Sequence, residues 1–244
     1  MSADADAALP LYLIGGTSEA NRAALRLAAE GFRVTVSVAT AEGGAAAARA
    51  GLESDGPDRL DADGMARRAA GLGAAAIVDC SHPFAVAASE SALAAAGIAG
   101  LPYLRFCREP YAAEGEGVFV ASGWEEAVHM LQGRRDRALL TVGTRHLEIF
   151  SAAGIDFTAR VLPVAESLAE CARLGIGPER IIAAHPPFDV DFNRACIRKA
   201  GAGVLVTKES GREGGLPGKL EAARAEGILA LVVSRPPERT AIHD

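Results

Sequence analysis

The fold of this chain is decided by the stretch Gly15-Gly16-Thr17-Ser18-Glu19-Ala20. It follows the apolar run 11–14 and opens a segment of helical period that extends to residue 30. A strand that ends in glycines and turns at once into a helix leaves backbone N–H groups beside the positive end of the helix. The pattern predicts a phosphate-binding turn, and a further strand near 33–38 completes a β-α-β unit typical of nucleotide-binding sheets.

This turn keeps the spacing of the dinucleotide fingerprint G-x-G-x-x-G, but Thr17 stands where the second glycine would be. On these residues alone, a tight strand-to-helix turn with no ligand is the alternative interpretation. We predict that the turn binds phosphate, and the residues assigned to it are Gly15, Gly16, Thr17 and Ser18.

The composition limits the function classes that fit this chain. A length of 244 residues is enough for one large domain or two small ones, and the net charge of −6 argues against nucleic acid as the main partner. The four cysteines are scattered without metal-ligand spacing, so we expect no metal site and a reducing compartment. The sequence contains no signal-peptide pattern and no membrane-spanning apolar run, so a soluble cytoplasmic protein is expected.

Short apolar runs alternate with helical segments along the whole chain, which is typical of parallel α/β sheets. In the first half, strands are predicted near 11–14, 33–38, 75–79 and 101–105, with a further one around 50–54, and helices near 18–30, 63–71 and 85–96. Asp61 or Asp63 is predicted to cap the second helix, and Gly97 to end the third. In the second half, strands are predicted near 118–121, 138–142, 157–161, 180–184, 203–207 and 229–233.

A charged, turn-rich segment separates the two halves near residues 107–117. We therefore predict two domains, 1–107 and 108–244, and an α/β fold of two Rossmann-like open parallel sheets with a ligand cleft between them. One sequence pattern occurs in both halves, because 78–84 and 182–188 each run from a predicted strand through His-Pro toward a helix start.

His82, in the first of these two segments, has two interpretations. A histidine just inside a helix N-terminus is held neutral by the helix dipole and can donate a hydrogen bond to a ligand. Equally, it can be a structural residue whose ring is satisfied by the backbone.

The end of the second strand bears on cofactor choice. NAD-binding sheets usually place an acid there to hold the ribose 2′-hydroxyl, whereas this chain has Ser37 and Thr40. A neutral, hydroxyl-rich end tolerates a 2′-phosphate, which favours NADPH over NADH, although Glu42 lies only two residues past Thr40. The alternative is that both hydroxyls pair with the backbone.

Two cations follow predicted strands in the second half, Arg145 and Lys208. Placed at neighbouring strand ends, they would suit a carboxylate or phosphate partner, although a solvated side chain is the commoner fate of each. Other enzyme classes are excluded by missing motifs: the Tyr-x-x-x-Lys pair of short-chain dehydrogenases, the phosphate-binding loop of kinases and the G-x-S-x-G turn of hydrolases.

Read together, the motifs resemble those of the precorrin-6A reductases of cobalamin biosynthesis. The resemblance spans nearly the whole chain in order, and each motif is short while the ordered set is specific. The segments that carry it are 13–20, 78–84, 141–145, 160–163, 206–211, 219–224 and 233–236.

The resemblance implies an NADPH-dependent reduction of one ring double bond of precorrin-6A, giving precorrin-6B by hydride transfer to the macrocycle. It implies that the glycine turn holds the cofactor's pyrophosphate, that Ser37 and Thr40 lie near its 2′-phosphate, and that the nicotinamide points toward Ser81 and His82. His82 is a candidate catalytic residue, with water as the alternative proton donor. The anionic tetrapyrrole would be bound by Arg145, Lys208, Ser210 and Gly211, and neighbouring pathway enzymes are expected partners.

The chain departs from the family pattern at two places. Pro186, preceded by His185, stands where the family usually has glycine, so we assign His185 no role. Glu209 replaces the family's asparagine and would repel a polyacidic substrate unless it points away. Two other functions stay open: reduction of another acidic tetrapyrrole, such as a cobalt-containing analogue, and a non-catalytic NADPH sensor.

Overall fold

The computed structural model describes residues 8–237, and the described residues form two compact units. The first unit runs to Arg108 and takes in Pro237, and the second is Glu109–Pro236. The boundary predicted from the sequence, after Cys107, lies next to this division. Each unit has its own parallel sheet with helices between the strands, which confirms the predicted α/β fold class.

The first unit alternates strands and helices from its first described residues. Its elements are β1 (Pro10–Ile14), α1 (Ser18–Ala29), β2 (Arg33–Ser37), α2 (Ala41–Arg49), β3 (Glu53–Asp55), α3 (Ala62–Gly71), β4 (Ala76–Asp79), α4 (Val86–Ala99) and β5 (Tyr103–Arg105).

The five strands lie in the order β3-β2-β1-β4-β5, and all neighbours are parallel. Both faces of the sheet are covered, which explains why β1 is a continuous apolar run. Tyr12 and Ile77 are fully buried in the core cluster that includes residues of α3 and α4, and Leu13 and Val36 are fully buried in the cluster that includes residues of α1.

The second unit repeats this alternation with two short 3-10 turns, Thr144–His146 and Pro178–Arg180. Its elements are β6 (Val118–Ala121), α5 (Trp124–Leu131), β7 (Arg137–Leu140), α6 (Leu147–Ala152), β8 (Phe157–Val161), α7 (Ala165–Arg173), β9 (Ile181–Ala183), α8 (Val190–Ala200), β10 (Ala202–Lys208), α9 (Leu216–Ala225) and β11 (Leu229–Val233).

The six strands lie in the order β6-β11-β10-β7-β8-β9, again with all neighbours parallel. From β7 the chain moves outward through β8 to β9, then returns to the other side of β7 for β10 and β11. The first strand of the unit, β6, lies at the far edge beside β11.

The predicted strands are found in both halves, with ends that shift by a few residues, but one helix was missed and one helix end was wrong. Helix α2 was not predicted, because Gly43 and Gly44 weaken its helical signal; Thr40 caps it by accepting a hydrogen bond from the Gly43 N–H. Helix α4 continues past Gly97 and ends at Gly100, whose φ of 65° is left-handed. Asp61 is the residue that caps α3.

A search for membrane spans among residues 8–237 finds no helix with the length and apolar character that crossing a bilayer requires.

Candidate functional site

Each sheet contains one place where two adjacent strands lead the chain in opposite directions, and ligands of open α/β sheets bind beyond the carboxyl ends of such strands. In the first unit these strands are β1 and β4, and the loops that follow them, 15–18 and 80–85, define the first switch point. In the second unit they are β7 and β10, and the loops 141–146 and 209–215 define the second switch point.

The glycine turn of the first switch point is shaped by close packing. A Cβ added to Gly15 would lie 2.4 Å from Val36 Cγ1, so only glycine lets the turn approach β2. Gly16 has a φ of 96° with open space around its Cα, and Thr17 caps α1 by accepting a hydrogen bond from the Ala20 N–H at 3.0 Å. The first N–H groups of a helix have no partner within it, so this turn fits an anionic group such as a phosphate.

Thr17 also links the two loops of this switch point. Its hydroxyl lies 3.4 Å from the carbonyl oxygen of Cys80, to which it donates. The hydroxyl of Ser18, by contrast, donates to the Glu19 carboxylate at 3.0 Å.

Glu19 is a residue that the sequence analysis quoted but did not assign. It is buried in the first turn of α1, where a carboxylate would compete with a bound phosphate, and its Oε1 lies 2.8 Å from the Arg108 guanidinium. The ion pair neutralises the carboxylate, which keeps the end of the helix suited to an anion.

Ser37 lies inside the unit rather than on its surface. It is buried, and its hydroxyl accepts a hydrogen bond from the Tyr12 hydroxyl at 2.9 Å. Asp55, at the end of β3, is its partner in the strand ladder and lies 3.3 Å from Arg68 Nε. Burial raises the pKa of the Asp55 carboxyl, and Arg68 opposes that shift.

Asp55 and Arg68 were not found from the sequence, because the third strand was predicted too early in the chain to place them. This end of the sheet therefore carries a carboxylate and a guanidinium group next to the predicted Ser37 hydroxyl. Thr40 is exposed, and its hydroxyl serves as the helix cap described above.

Ser81 is held by a buried polar cluster after β4. Its N–H donates to Asp79 Oδ1 at 2.9 Å, and its hydroxyl accepts from Arg105 at 2.9 Å. Asp79 is fully buried, 2.7 Å from the Arg105 guanidinium, and accepts from the Tyr103 hydroxyl at 2.8 Å. The cluster fixes the backbone that leads into His82, and Asp79 is its centre.

His82 lies in the loop, not inside a helix as the sequence interpretation had it, because α4 begins only at Val86. Its Nδ1 accepts a hydrogen bond from the Phe84 N–H at 3.2 Å. In that arrangement the neutral ring carries its proton on Nε2. The Phe84 backbone N–H therefore satisfies Nδ1 and fixes the tautomer of the neutral ring.

At the second switch point the structure brings two predicted cations toward the same side chain. Arg145 is exposed and Lys208 is half-buried, and both lie near His146. Burial lowers the pKa of the His146 ring, and the charges of Lys208 and Arg145 lower it further. The ring stacks on Trp124 with centroids 3.9 Å apart and planes 14° from parallel.

The carboxylate of Glu209 is buried and its charge is balanced by an arginine, which answers the concern that it would repel an acidic substrate. It accepts hydrogen bonds from the N–H groups of Tyr111 and Gly211, each at 3.0 Å, and pairs with the Arg235 guanidinium. Burial alone would raise the pKa of its carboxyl, but Arg235 and the two N–H donors outweigh burial and lower it.

Ser210 and Gly211 are buried in the loop after β10. The Ser210 hydroxyl donates to the Gly214 carbonyl oxygen at 3.2 Å, and Gly211 has a φ of 73°. The hydroxyl is thus used to shape the loop.

The second His-Pro segment also stops short of its helix. His185 is exposed, its Nδ1 lies 2.8 Å from the Pro186 carbonyl oxygen, and the Pro186–Pro187 bond is cis. Helix α8 begins at Val190 and is capped by Asp189, which accepts from the Phe192 N–H. His185 therefore has no part in the helix start, and we assign it no role.

Two buried cations lie near the second switch point, and their burial was not predicted from the sequence. Arg160, on β8, donates to Asn193 Oδ1 at 2.7 Å, and its guanidinium lies 4.3 Å from the centre of the Phe188 ring. Lys219, on α9, donates to the Gly214 carbonyl oxygen at 3.2 Å. The side chains are 6% and 9% exposed, which no local pattern in the sequence indicates.

Among residues 8–237, no group of three or more His, Cys, Asp or Glu side chains is arranged to hold a metal ion. The cysteines described there are all free thiols.

Comparison with known proteins gives a family. The family model described as precorrin-6x reductase CbiJ/CobK matches residues 10–244. The cobalt-precorrin-6A reductase of Priestia megaterium is 33% identical over 231 residues, which cover 93% of this chain and 90% of that protein. The precorrin-6A reductase of Rhodobacter capsulatus is 30% identical over 235 residues, which cover 93% and 88%.

A solved structure supports the same relationship. The structure titled CobK precorrin-6A reductase superimposes with a TM-score of 0.75 at 27% identity, covering 95% of this chain and 90% of that one. The match extends over both parallel sheets.

Proposed function

Because this chain belongs to the precorrin-6x reductase CbiJ/CobK family, we propose that it reduces one ring double bond of precorrin-6A with NADPH, giving precorrin-6B in cobalamin biosynthesis. The observation that carries the proposal is the family match over residues 10–244. The first switch point would hold the cofactor and the second unit would bind the substrate. The ligand cleft predicted between the domains and the cytoplasmic location stay predictions.

The cofactor assignment is supported by the residues of the first unit. Bound NADPH supplies a hydride from the nicotinamide. The N–H groups at the glycine turn would bind its pyrophosphate, since they lie at the N-terminus of α1. The side chain of Arg68 is 40% exposed at the end of the sheet that carries Ser37, and offers a cation for the 2′-phosphate.

The substrate assignment rests on charge. Precorrins carry many carboxylates, and Arg145 and Lys208 present positive charge at the carboxyl edge of the second sheet. Because the Glu209 carboxylate is paired with Arg235, its charge is balanced and would not oppose the binding of an acidic macrocycle. These side chains would bind and orient the substrate rather than take part in bond making.

His82 is our candidate for the residue that delivers the proton to the reduced ring system, with water as the alternative donor. Its Nδ1 accepts the Phe84 N–H, so the neutral ring carries its exchangeable proton on Nε2, and an imidazole can act as a general acid near neutral pH. Ser81, anchored on Asp79 and Arg105, keeps this loop in place.

The cobalt-containing analogue is a second candidate substrate, because relatives named cobalt-precorrin-6A reductase are 33–34% identical to this chain. The two substrates share their carboxylates, so the contacts proposed here serve either one.

The test is the loss of NADPH absorbance on adding precorrin-6A or cobalt-precorrin-6A, with NADH as a parallel control. We expect NADPH to be oxidised faster than NADH with at least one of the two substrates. Tight NADPH binding without oxidation by either substrate would overturn the reductase assignment and favour a sensor. Equal rates with both nucleotides would overturn the cofactor preference.

A further inference from the structure

The second unit contains two buried cations that lack an acid partner within residues 8–237. Arg160 lies at the carboxyl end of β8, and Lys219 lies on the face of α9 that packs on the sheet. Among the residues that the structure describes, neither has a carboxylate within ion-pairing distance; their polar partners there are neutral, such as Asn193 and the Gly214 carbonyl. Buried charges are costly unless they are paired, so this arrangement needs an explanation.

Asn193 links the surroundings of the two cations: Arg160 donates to its Oδ1, and a Cβ added to Gly218, the neighbour of Lys219, would lie 3.9 Å from its Nδ2. Burial, together with the positive charges of Arg160 and Lys208, lowers the pKa of Lys219 to about 7. Burial also lowers the pKa of Arg160. An anion bound among these groups would offset both the free-energy cost of burying the positive charges and the repulsion between them.

A third group in the same region also lacks a partner. Thr207 is fully buried on β10, and no residue that the structure describes makes a hydrogen bond with its hydroxyl. Side chains alternate along a strand, so Thr207 lies on the same face as Leu205, which packs against residues of α8 and α9. The register places Thr207 level with Arg160 and two strands away, because Val206 pairs with Leu140 and Leu140 with Ala159. An unpartnered hydroxyl and two unpaired cations in this region are a donor set that suits carboxylate oxygens.

The residues that contact the two cations from outside the sheet include residues of two loops. The Phe188 ring over Arg160 comes from the loop that carries the exposed His185, and Gly214, which binds Lys219, lies beside the exposed Arg212 and Glu213. A carboxylate that replaced the single carbonyl contact of Lys219 would exchange a neutral acceptor for a charged one, which makes the stronger hydrogen bond.

We propose that Arg160, Lys219 and Thr207 form a binding site for one carboxylate of the substrate, distinct from the exposed Arg145. This inference rests on the proposed function, because it takes the substrate to be the polycarboxylate macrocycle. The site would hold one acetate or propionate side chain and so fix the orientation of the ring. These residues would therefore position the substrate and take no part in the bond-making step.

The first experiment uses the full chain without cofactor or substrate. Thermal melting is measured in potassium propionate, potassium phosphate and potassium chloride at equal ionic strength, at a pH below about 7 so that Lys219 is charged. The variants are Lys219→Met and Thr207→Val, and the matched control is Lys199→Met, which removes an exposed lysine from α8.

We expect propionate to raise the Tm of the wild type and of Lys199→Met above the chloride value, and to lose that effect in Lys219→Met and Thr207→Val. The same rise in all variants, or no rise in the wild type, would overturn the proposal. A Lys219-dependent rise with phosphate alone would also overturn it, because the anion would then be a cofactor phosphate.

A second experiment measures steady-state kinetics. Lys219→Met should raise the KM for the precorrin about tenfold or more, the loss expected for one charge-assisted hydrogen bond, while the KM for NADPH stays unchanged. An unchanged precorrin KM would overturn the proposal. If the wild type does not turn over, the proposed function fails, whereas the propionate experiment still tests the anion site.

Discussion

The two switch points differ in whether their buried charged side chains have partners of opposite charge. At the first, each buried carboxylate meets an arginine: Asp79 lies 2.7 Å from Arg105, and Glu19 lies 2.8 Å from Arg108. At the second switch point, Glu209 forms an ion pair with Arg235. The nearby cations Arg160 and Lys219 have no acid partner among residues 8–237.

The difference indicates two kinds of recognition. Where charges cancel, the backbone N–H groups of a helix end dominate the local field, and these suit a phosphate bound without help from a lysine or arginine of the loop. Where cations are left over, the site is positive and suits several carboxylates on one ligand. If the proposed ligands bind as inferred, the same sheet topology would accommodate two ligand chemistries through the pairing of a few buried side chains.

Breaking the buried pair of the first switch point should have the largest effect. Asp79→Ala leaves Arg105 buried without its acid, which should lower the free energy of unfolding by about 3–5 kcal/mol. Urea unfolding measures it. The control is Asp156→Ala, which removes an exposed acid paired with Arg137 and Arg180 and should cost less than about 1 kcal/mol for each exposed pair. Equal losses in the two variants would remove the contrast between buried and exposed pairs.

Removing an unpaired cation from the second unit should have the opposite sign. Lys219→Met should raise the free energy of unfolding near pH 7 by about 1–4 kcal/mol, since it removes a buried charge without an acid. In the wild type the folded state releases this proton near pH 7 and the unfolded state near 10.5, so the unfolded state binds more protons between these values.

Wild-type stability should therefore rise with pH across that window, by up to about 1.4 kcal/mol per pH unit, and the advantage of Lys219→Met should shrink. The charged groups that lower this pKa are Arg160 on β8 and Lys208 on β10. Urea unfolding of both proteins at several pH values measures the difference. A constant difference would show that Lys219 keeps its charge over the whole range.

The loop after β4 offers a sharper test of catalysis. His82→Asn keeps an acceptor for the Phe84 N–H, so its Tm should stay near that of the wild type, but it cannot deliver a proton as imidazole does. We expect kcat to fall about 10²-fold. A wild-type kcat in this variant would show that His82 only shapes the loop.

The glycine turn tests how strictly close packing controls the first switch point. Gly15→Ala places a Cβ against Val36 Cγ1 and should lower the free energy of unfolding by about 1–3 kcal/mol, with weaker NADPH binding measured by titration. Gly71→Ala is the control, because its added Cβ meets nothing within 4 Å. Equal stability of the two variants would contradict the packing argument.

The smallest expected effect concerns the exposed side of the second switch point. Lys208→Ala should raise the KM for the precorrin about tenfold, since it removes one charged contact, and leave the KM for NADPH unchanged. Lys199→Ala is the control and should change neither. Equal increases for precorrin and NADPH in Lys208→Ala would remove Lys208 from the substrate-binding set.

Much of the scaffold could be predicted from the sequence, because parallel strands are short apolar runs between helices. The positions of the strands and the glycine turn follow from such local patterns. Helix α2 was missed because two adjacent glycines hide it, and the end of α4 was misplaced because a glycine inside a helix looks like one that ends it.

The pairing of charges could not be predicted, because it depends on residues far apart in the chain. Glu209 is neutralised by Arg235 and by the N–H of Tyr111, 98 residues away. Arg160 becomes buried only when α8 brings Asn193 over β8. A sequence window that shows an arginine cannot show whether a distant helix covers it.

The stack of Trp124 on His146 gives the second switch point its own optical signal. Trp124 is the only tryptophan of the 244-residue sequence, so the indole emission of the chain originates beside Arg145 and Lys208. A protonated imidazole quenches indole fluorescence on contact, and the lowered pKa of His146 keeps the ring neutral, and the emission bright, until the solution is clearly acidic. Carboxylates that bind beside His146 would favour protonation of its ring and so lower the fluorescence of Trp124. The fluorescence intensity of Trp124 would therefore report the binding of an acidic ligand at the second switch point.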